Sequence, residues 1–340
     1  MRPEPLDLSR FQRGPIIGEG ADMQVFAAAD TENGMPVVLK RPHPQLVART
    51  QHEAVEARIE RTLALRERLG PDFIGLCNLI GFAPSATHGG YFGDSLGEPY
   101  TVVVEEMANG VPLVGSPRDR IRKNPVTLPY GLFALHPVVQ GPASERTTIA
   151  RQALVLAESF LRVDTLLLDM RPQNVYFDPL RAKITVIDIA GAEAERPESR
   201  RHQALDFHDV CLELFMWYTT PQDVPEDGSQ FGVSDRADSV SNFRSDVDSL
   251  IREHSSVPDA DRREAALLVL ERLRQRAYGA FDDFKRDFQR YLTLIDVHNS
   301  MLAERPESLR VWREAASRLG EPYWEKFRFD AQRDLAPYLA

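Results

Sequence analysis

The sequence predicts an α+β protein built in two parts, a small strand-rich region followed by a larger and mostly helical one. Apolar and polar residues alternate in short runs over about the first hundred residues, which is the period of strands. From Arg146 onward, apolar residues instead recur at steps of three and four, which is the period of helices. We place the boundary after residue 108, which gives domains of 1–108 and 109–340 in a chain of 340 residues.

Strands and one helix account for the first part. Alternation from Phe11 to Ala29 around a Gly-Glu-Gly turn predicts two paired strands, and the β-branched run from Pro36 to Lys40 predicts a third. Residues 45–69 have helical spacing and neither Gly nor Pro, so we expect one amphipathic helix there. The remaining predicted features are two strands and a Gly-rich turn region between them, at 76–81, 100–107 and 89–97.

The second part is helical with two exceptions. Residues 111–146 are rich in proline and contain a basic cluster, so we interpret them as an irregular insertion. A short β region is predicted at 166–189. We expect extra helices over 256–340, with an aromatic stripe that we interpret as buried packing, at Phe281, Phe284, Phe288 and Tyr291.

Composition excludes several classes of protein. The 43% apolar and 27% charged residues are ordinary for a soluble globular chain. A net charge of −10 argues against a nucleic-acid partner, because such partners bind a basic face. Cys77 and Cys211 stand among apolar residues, so we interpret them as buried thiols in a reducing compartment. No apolar stretch approaches the ~18 residues of a membrane span and the N-terminus lacks a signal-peptide core, so we expect a cytoplasmic protein with no membrane partner.

A glycine-rich turn joins the first two predicted strands, in the pattern Gly18-x-Gly20-x-x-Met23-x-Val25. Backbone N–H groups of such a loop approach nucleotide phosphates closely because glycine has no Cβ. We therefore assign Gly18, Gly20 and Val25 to a candidate nucleotide site. On their own, the two glycines are explained as well by a plain hairpin turn, and Met23 stands where a third glycine is expected.

Lys40 ends the third predicted strand and is a candidate for holding the α- and β-phosphates of a nucleotide. That role requires a carboxylate from the following helix to keep the lysine in position. Glu53, Glu56 and Glu60 share one face of that helix, and we prefer Glu60 because the apolar residues one turn later can pack inward behind it. The alternative is an ordinary strand lysine that reaches out to solvent.

The most informative pattern is an acid at each of two strand ends with a polar loop between them. An apolar strand ends at Asp169, Asn174 follows five residues later, and a tight hairpin leads to Asp188. Asp169 is placed to accept a proton from an incoming hydroxyl, while Asn174 and Asp188 offer oxygen ligands for Mg²⁺ on nucleotide phosphates. Either aspartate alone is explained by capping of a turn, but that explanation fits both of them poorly at this spacing.

Together these motifs resemble those of the protein-kinase-like superfamily. Asp169-Met-Arg-Pro-Gln-Asn174 is similar to the D-L-K-P-E-N catalytic loop, Val37-Val-Leu-Lys40 to V-A-I-K, and Asp188-Ile-Ala190 stands where D-F-G is expected. Residues 100–107 resemble the last strand of the N-lobe and the hinge. The resemblance covers roughly 10–220 and implies a two-lobed fold, with a small antiparallel-sheet N-lobe carrying one helix and a large, mostly helical C-lobe.

The resemblance also implies roles for individual residues. It implies ATP and Mg²⁺ as cofactors, with the nucleotide held between the lobes and the backbone of Glu105 and Met107 meeting adenine. Arg171, at the lysine position of the catalytic loop, would stabilise charge on the transferred phosphoryl group, and Asp206 would anchor that loop. The substrate would be a protein or a small molecule that offers a hydroxyl.

Several residues depart from the family pattern. Leu167 and Leu168 replace the His-Arg that normally precedes the catalytic aspartate, so we expect no control by a phosphorylated activation segment. Only eighteen residues lead from Asp188 to Asp206, and Ile189-Ala190 lacks the D-F-G glycine.

Three functions fit these motifs. We favour an atypical serine/threonine protein kinase, because the catalytic-loop motif keeps its basic third position. The short segment after Asp188 instead favours a small-molecule phosphotransferase of the aminoglycoside type. The incomplete glycine loop, the missing His-Arg and the missing D-F-G glycine favour a nucleotide-binding pseudokinase scaffold.

Overall fold

The computed structural model describes residues 4–19, 23–44, 52–70, 73–93, 97–109, 111–112, 148–171, 174–178, 181–189, 191–195, 205–219 and 243–303. These residues form two compact units, 4–109 and 111–303. Gly20, residues 113–146 of the predicted insertion and residues 304–340 lie outside the described residues.

The first unit is a five-stranded antiparallel sheet with one long helix. Its strands are β1 (Phe11–Glu19), β2 (Met23–Asp30), β3 (Pro36–Pro42), β4 (Leu79–Ala86) and β5 (Tyr100–Glu106). They lie in the order β1-β2-β3-β5-β4. Helix α1 (His52–Leu69) connects β3 to β4, a single-turn helix α2 (Gly89–Phe92) precedes β5, and a 3₁₀ turn spans Leu8–Arg10.

Alternation along the strands gives this sheet two apolar faces. Val102 and Val104 of β5 pack with Phe26, Leu39 and other residues of one face. Val103, between them in sequence, points to the other face and packs against a stripe on α1 formed by Val55, Ile59 and Leu63. The helix therefore covers the same face of the sheet as Val103, because successive side chains of a strand point to opposite sides.

Two local predictions in this unit were displaced. β4 begins at Leu79 and continues to Ala86, later than the predicted 76–81. The reason is a second hydrogen-bonded neighbour, since the Phe82 N–H donates to the Glu4 carbonyl and the Leu6 N–H donates to the Phe82 carbonyl. The Gly-rich region predicted as a turn contains α2, which ends where Gly93 adopts a left-handed conformation with φ of 72°.

The second unit combines a small sheet with helices. Strands β6 (Val111–Pro112), β7 (Val175–Asp178) and β8 (Lys183–Val186) form an antiparallel sheet in that order. The first two residues of the predicted irregular insertion are therefore a strand edge. The helices are α3 (Thr148–Leu161), α4 (Phe207–Tyr218), α5 (Phe243–Ser255), α6 (Ala260–Arg274) and α7 (Phe281–Ala303).

Aromatic packing joins α4 to α7. The ring of Phe215 on α4 stacks on Tyr291 with centroids 5.4 Å apart, and Phe284 stacks on Phe288 at 5.2 Å. Phe284, Phe288 and Tyr291 are fully buried, which confirms the predicted packing stripe, while Phe281 at its start is half-buried.

Both cysteines are buried free thiols, as the sequence predicted. Burial raises the pKa of Cys77 to about 12 and also raises that of Cys211. Among the residues that the structure describes, no helix is both long enough and apolar enough to cross a bilayer.

Candidate functional site

One row of residues crosses four strands of the first unit at the positions predicted for a nucleotide site. Gly18 on β1 lies opposite Val25 on β2, Val25 lies opposite Lys40 on β3, and Lys40 lies opposite Val103 on β5. Directly opposite residues of antiparallel strands share a face, so Val25 and Lys40 are on the face that α1 covers at Val103. Gly18 is a strand residue, and a Cβ there would make only ordinary contact with Val25 at 3.6 Å.

Lys40 belongs to a buried ionic triad. Its Nζ lies 2.6 Å from Glu105 Oε2, and Arg66 Nη2 on α1 lies 3.1 Å from Glu105 Oε1. The exposed fractions of the side chains are 17% for Lys40, 4% for Glu105 and 8% for Arg66. The Glu105 carboxylate thus has a cation on each of its oxygens.

None of the three helix glutamates considered as partners of Lys40 is paired with it in the contacts that the structure describes. Glu60, which the sequence favoured as the partner of Lys40, is exposed to solvent, and so is Glu53. Glu56 faces the sheet but accepts hydrogen bonds from the backbone N–H and the hydroxyl of Thr101, at 2.9 and 2.8 Å. The reason is the way α1 is buried. Its buried stripe runs through Leu63 and continues to Arg66, whereas Glu60 lies beside this stripe on the solvent side.

The backbone positions expected to meet adenine are engaged within the sheet. Glu105 lies opposite Val38 in the ladder between β3 and β5. The Met107 N–H donates to the Pro36 carbonyl at 3.1 Å, one step further along the same edge. The Met107 N–H is therefore engaged within the sheet, and contact of the Glu105 and Met107 backbone with adenine stays a prediction.

In the second unit, Asp169 is held in a backbone conformation that non-glycine residues rarely adopt. Its φ is 65°, in the left-handed region. The Asp169 N–H donates to Glu213 Oε1 at 3.0 Å, and the Met170 N–H donates to Glu213 Oε2 at 3.2 Å. The Tyr218 hydroxyl donates to the Met170 carbonyl at 2.8 Å. Two side chains of α4 therefore fix the loop that begins at Asp169.

The Asp169 side chain faces the other two predicted residues of its loop. Arg171 Nη2 donates to Asp169 Oδ2 at 3.1 Å, and Arg171 Nε pairs with Oδ1, so the guanidinium binds the carboxylate through both oxygens. Asn174 Nδ2 donates to the Asp169 carbonyl at 3.0 Å. The Asp169 side chain is 31% exposed, and its carboxylate carries a cation beside it.

Asn174 and Asp188 fit a partial set of ligands for a magnesium ion. The Ile187 N–H donates to the Asn174 carbonyl at 2.9 Å, which ties the loop to the residue before Asp188, and Asp188 is exposed just beyond β8. The Asn174 amide nitrogen is directed at Asp169, so its oxygen is the atom a cation would meet. The described residues contain no cluster of three or more His, Cys, Asp or Glu, but Mg²⁺ commonly takes one or two carboxylates together with phosphate oxygens and water.

Gly191 approaches Asp169 more closely than any residue with a side chain can. A Cβ on Gly191 would lie 2.8 Å from Asp169 Cβ and 3.0 Å from the Leu168 carbonyl oxygen. This approach arises because Leu166 and Glu193 exchange backbone hydrogen bonds of 2.7 and 3.0 Å. A glycine therefore lies against Asp169 at position 191, one residue after the position at which the resemblance expected one.

Asp206 has a different role from the one the resemblance implied. It caps α4, accepting from the His208 N–H at 2.8 Å, and it forms ion pairs with Arg276. The loop at Asp169 is anchored instead by Glu213, in the middle of α4. Sequence reasoning missed Glu213, although a single acid within the apolar run Val210-Cys-Leu-Glu-Leu-Phe-Met-Trp217 is a usable signal for a buried, bonded carboxylate.

No model of a protein family matches this chain, and no curated protein matches it either.

We predict that Glu213 makes the stability of the protein depend on pH. Burial raises the pKa of Glu213 to about 8, although its two backbone hydrogen bonds act in the opposite direction. In the unfolded chain a glutamate titrates near pH ~4.3. Between these values the folded state binds a proton that the unfolded state has lost, so the free energy of unfolding falls as pH rises through about 8.

Urea unfolding between pH 5 and 9 tests this dependence. Glu213→Gln should lack this fall and should gain stability relative to the wild type as pH rises. Glu264→Gln, an exposed position on α6, should keep the wild-type dependence. Parallel curves for wild type and Glu213→Gln would contradict the prediction.

A second prediction concerns the close approach of Gly191. We expect Gly191→Ala to lower the free energy of unfolding by about 1–3 kcal/mol, because the added methyl group meets Asp169 Cβ and a backbone oxygen that cannot both give way. Gly97→Ala is the matched control, since nothing lies within 4 Å of a Cβ there. Denaturant titration measures both variants, and equal stability of the two would show that the segment adjusts freely.

Proposed function

We propose that the chain is an ATP- and Mg²⁺-dependent phosphotransferase that moves the γ-phosphoryl group to a hydroxyl. The observation that carries the proposal is the group formed by Asp169, Arg171 and Asn174, a carboxylate with a guanidinium on both oxygens and an amide beside it. Its loop is fixed from behind by Glu213 and Tyr218. Positioned groups of this kind suit phosphoryl transfer, in which a protein acts mostly by orientation and by neutralising charge.

Each residue has a specific task in the proposed reaction. Asp169 accepts the proton of the attacking hydroxyl, and its exposed edge is where that hydroxyl would arrive. Arg171 stabilises negative charge on the phosphoryl group in transfer. Asn174 and Asp188 would hold Mg²⁺, which supplies positive charge to the phosphate oxygens. Lys40, whose Nζ pairs with Glu105 Oε2, is the candidate in the first unit for binding phosphate oxygens.

The architecture supports a protein-kinase-like fold for this activity. The first unit is a small antiparallel sheet with α1 between its third and fourth strands, and the second unit is mostly helical. Lys40 stands on β3, and Asp169 and Asp188 flank the hairpin of β7 and β8. These are the positions at which the sequence resemblance expects the phosphate-binding lysine, the base and the metal ligand.

An atypical serine/threonine protein kinase, which would act on a protein substrate, remains our first choice of enzyme class. The basic third position of the catalytic-loop motif, Arg171, contacts the proposed base, which supports this choice. Gly191 also weakens one argument for an inactive scaffold, because a glycine does lie beside Asp169. A small-molecule phosphotransferase is the second candidate, since the chain after Asp188 turns back at once and pairs with Leu166 through Glu193.

Binding of the nucleotide is tested first. We predict that Mg-ATP at millimolar concentration raises the melting temperature, because a ligand that binds only the folded state stabilises it by mass action. Asp188→Ala should remove most of the Mg²⁺-dependent part of the shift and leave the shift with ATP and EDTA unchanged. Asp261→Ala, an exposed acid on α6, should keep the full shift. A wild-type protein that does not respond to Mg-ATP would refute the nucleotide site.

Catalysis is tested with Asp169→Asn. The amide retains the size of the side chain but cannot accept the proton, and general-base catalysis contributes about 10²–10⁴-fold to a rate. We expect transfer from γ-labelled ATP to fall by that order while the Mg-ATP melting shift is retained. Asp261→Asn is the control for transfer. Equal, non-zero transfer by Asp169→Asn and wild type would remove Asp169 from the role of base, and binding without transfer by the wild type to protein or small-molecule acceptors would favour the pseudokinase.

A further inference from the structure

We propose that Glu105 is the positioning residue for Lys40, and that α1 acts on Lys40 through Arg66. The proposal rests on the proposed function, because it concerns how the phosphate-binding lysine is held. The carboxylate comes from the neighbouring strand and not from the helix, so the position of Lys40 is set within the sheet.

The register of the strands explains why this pair forms. Lys40 lies opposite Val103 on β5, and Glu105 follows Val103 by two residues on the same face. Glu105 is therefore the diagonal neighbour of Lys40, about 7–8 Å away between backbones, a separation that two long side chains span easily. The distance of 2.6 Å between Lys40 Nζ and Glu105 Oε2 agrees with this geometry. Because hydrogen bonds of the ladder fix both backbones, the sheet brings the two side chains within reach of each other.

Charge balance explains the place of Arg66. A buried carboxylate is costly unless cations and hydrogen bonds compensate it. Arg66 occupies Oε1 at 3.1 Å and Lys40 occupies Oε2, so the guanidinium sets the rotation of the carboxylate and leaves the second oxygen directed at the lysine. Arg66 belongs to the C-terminal part of α1, so the position of the helix affects Lys40 through the orientation of the Glu105 carboxylate.

This arrangement is compatible with a lysine that binds phosphate. An ammonium group has three N–H donors, so an ion pair with one carboxylate oxygen does not by itself prevent contact with a phosphate. Removal of the carboxylate would leave Lys40 and Arg66 as two neighbouring cations with low exposure. Their repulsion would turn Lys40 away from its place and favour its uncharged form.

The pairing itself is tested without any nucleotide. Folded wild type, Glu105→Gln, Glu105→Asp and Glu60→Gln are treated at one fixed pH with an amine-acylating reagent, and acylation of Lys40 is followed by mass spectrometry. We expect Glu105→Gln to raise the rate at Lys40 by about tenfold, since each unit of lowered lysine pKa gives a tenfold larger uncharged fraction. Glu105→Asp should lie between Glu105→Gln and wild type. Glu60→Gln, the exposed acid on the same helix, should match wild type, and a Lys40 rate that Glu105→Gln leaves unchanged would overturn the proposal.

The role in binding is tested with the same variants and Mg-ATP. We expect the dissociation constant to rise by about tenfold or more in Glu105→Gln, to recover partly in Glu105→Asp and to stay at the wild-type value in Glu60→Gln. If Glu105→Gln does not fold, the double variant Glu105→Leu with Arg66→Met replaces it, because apolar substitution of a whole buried ionic group is often tolerated. Weakened binding by that variant supports the proposal.

The outcomes separate the two hypotheses. If wild type does not bind Mg-ATP, the proposed function fails. If wild type binds Mg-ATP and the variants lacking Glu105 bind it equally well, the proposed function stands and the positioning role of Glu105 is refuted. Weakened binding in Glu60→Gln together with normal binding in Glu105→Gln would show that the helix glutamate Glu60, and not Glu105, positions Lys40.

Discussion

The buried carboxylate of Glu213 is the interaction on which the candidate site depends. It receives two successive backbone N–H groups, those of Asp169 and Met170, and so stabilises a left-handed conformation at Asp169 that would otherwise be unfavourable. The orientation of Arg171 and Asn174 follows, since both contact Asp169. Because Glu213 stands in the middle of the packed apolar surface of α4, the core of the second unit and the geometry of the loop are fixed by the same helix.

The first unit uses a buried glutamate in a comparable way. The two side-chain oxygens of Glu105 are divided between Lys40 on β3 and Arg66 on α1. In both units a carboxylate with little exposure holds a polar residue that is more exposed than itself, Asp169 in one and Lys40 in the other. Low exposure makes each contact strong, and it also makes the loss of either glutamate costly, since a buried group loses a partner that compensates it.

The sequence allowed much of the fold to be predicted, but the contacts at the site less well. Alternating apolar residues gave the strands around Phe26 and Lys40, and helical spacing gave α1, because these signals are local. The partner of Lys40 was missed because it depends on strand register, which brings Glu105 next to a lysine far away in the sequence. The helix acid was misassigned for a similar reason. Whether Glu60 faces the sheet or solvent depends on how α1 is rotated about its axis, and a rotation by one residue reverses the outcome. Gly191 was missed because the comparison assumed a fixed offset from Asp188, whereas the backbone bridge at Leu166 determines which residue meets Asp169.

The burial of both cysteines has a practical consequence for spectroscopy. A thiol reacts with alkylating reagents as the thiolate, and the pKa of Cys77 is raised to about 12 while that of Cys211 is also raised. In the folded protein neither side chain competes for a maleimide dye or a spin label. A single cysteine introduced at an exposed position, such as Val297 on α7, can then be labelled selectively in the otherwise natural sequence. A second cysteine introduced in the same way would allow the distance between two labels to be measured in solution.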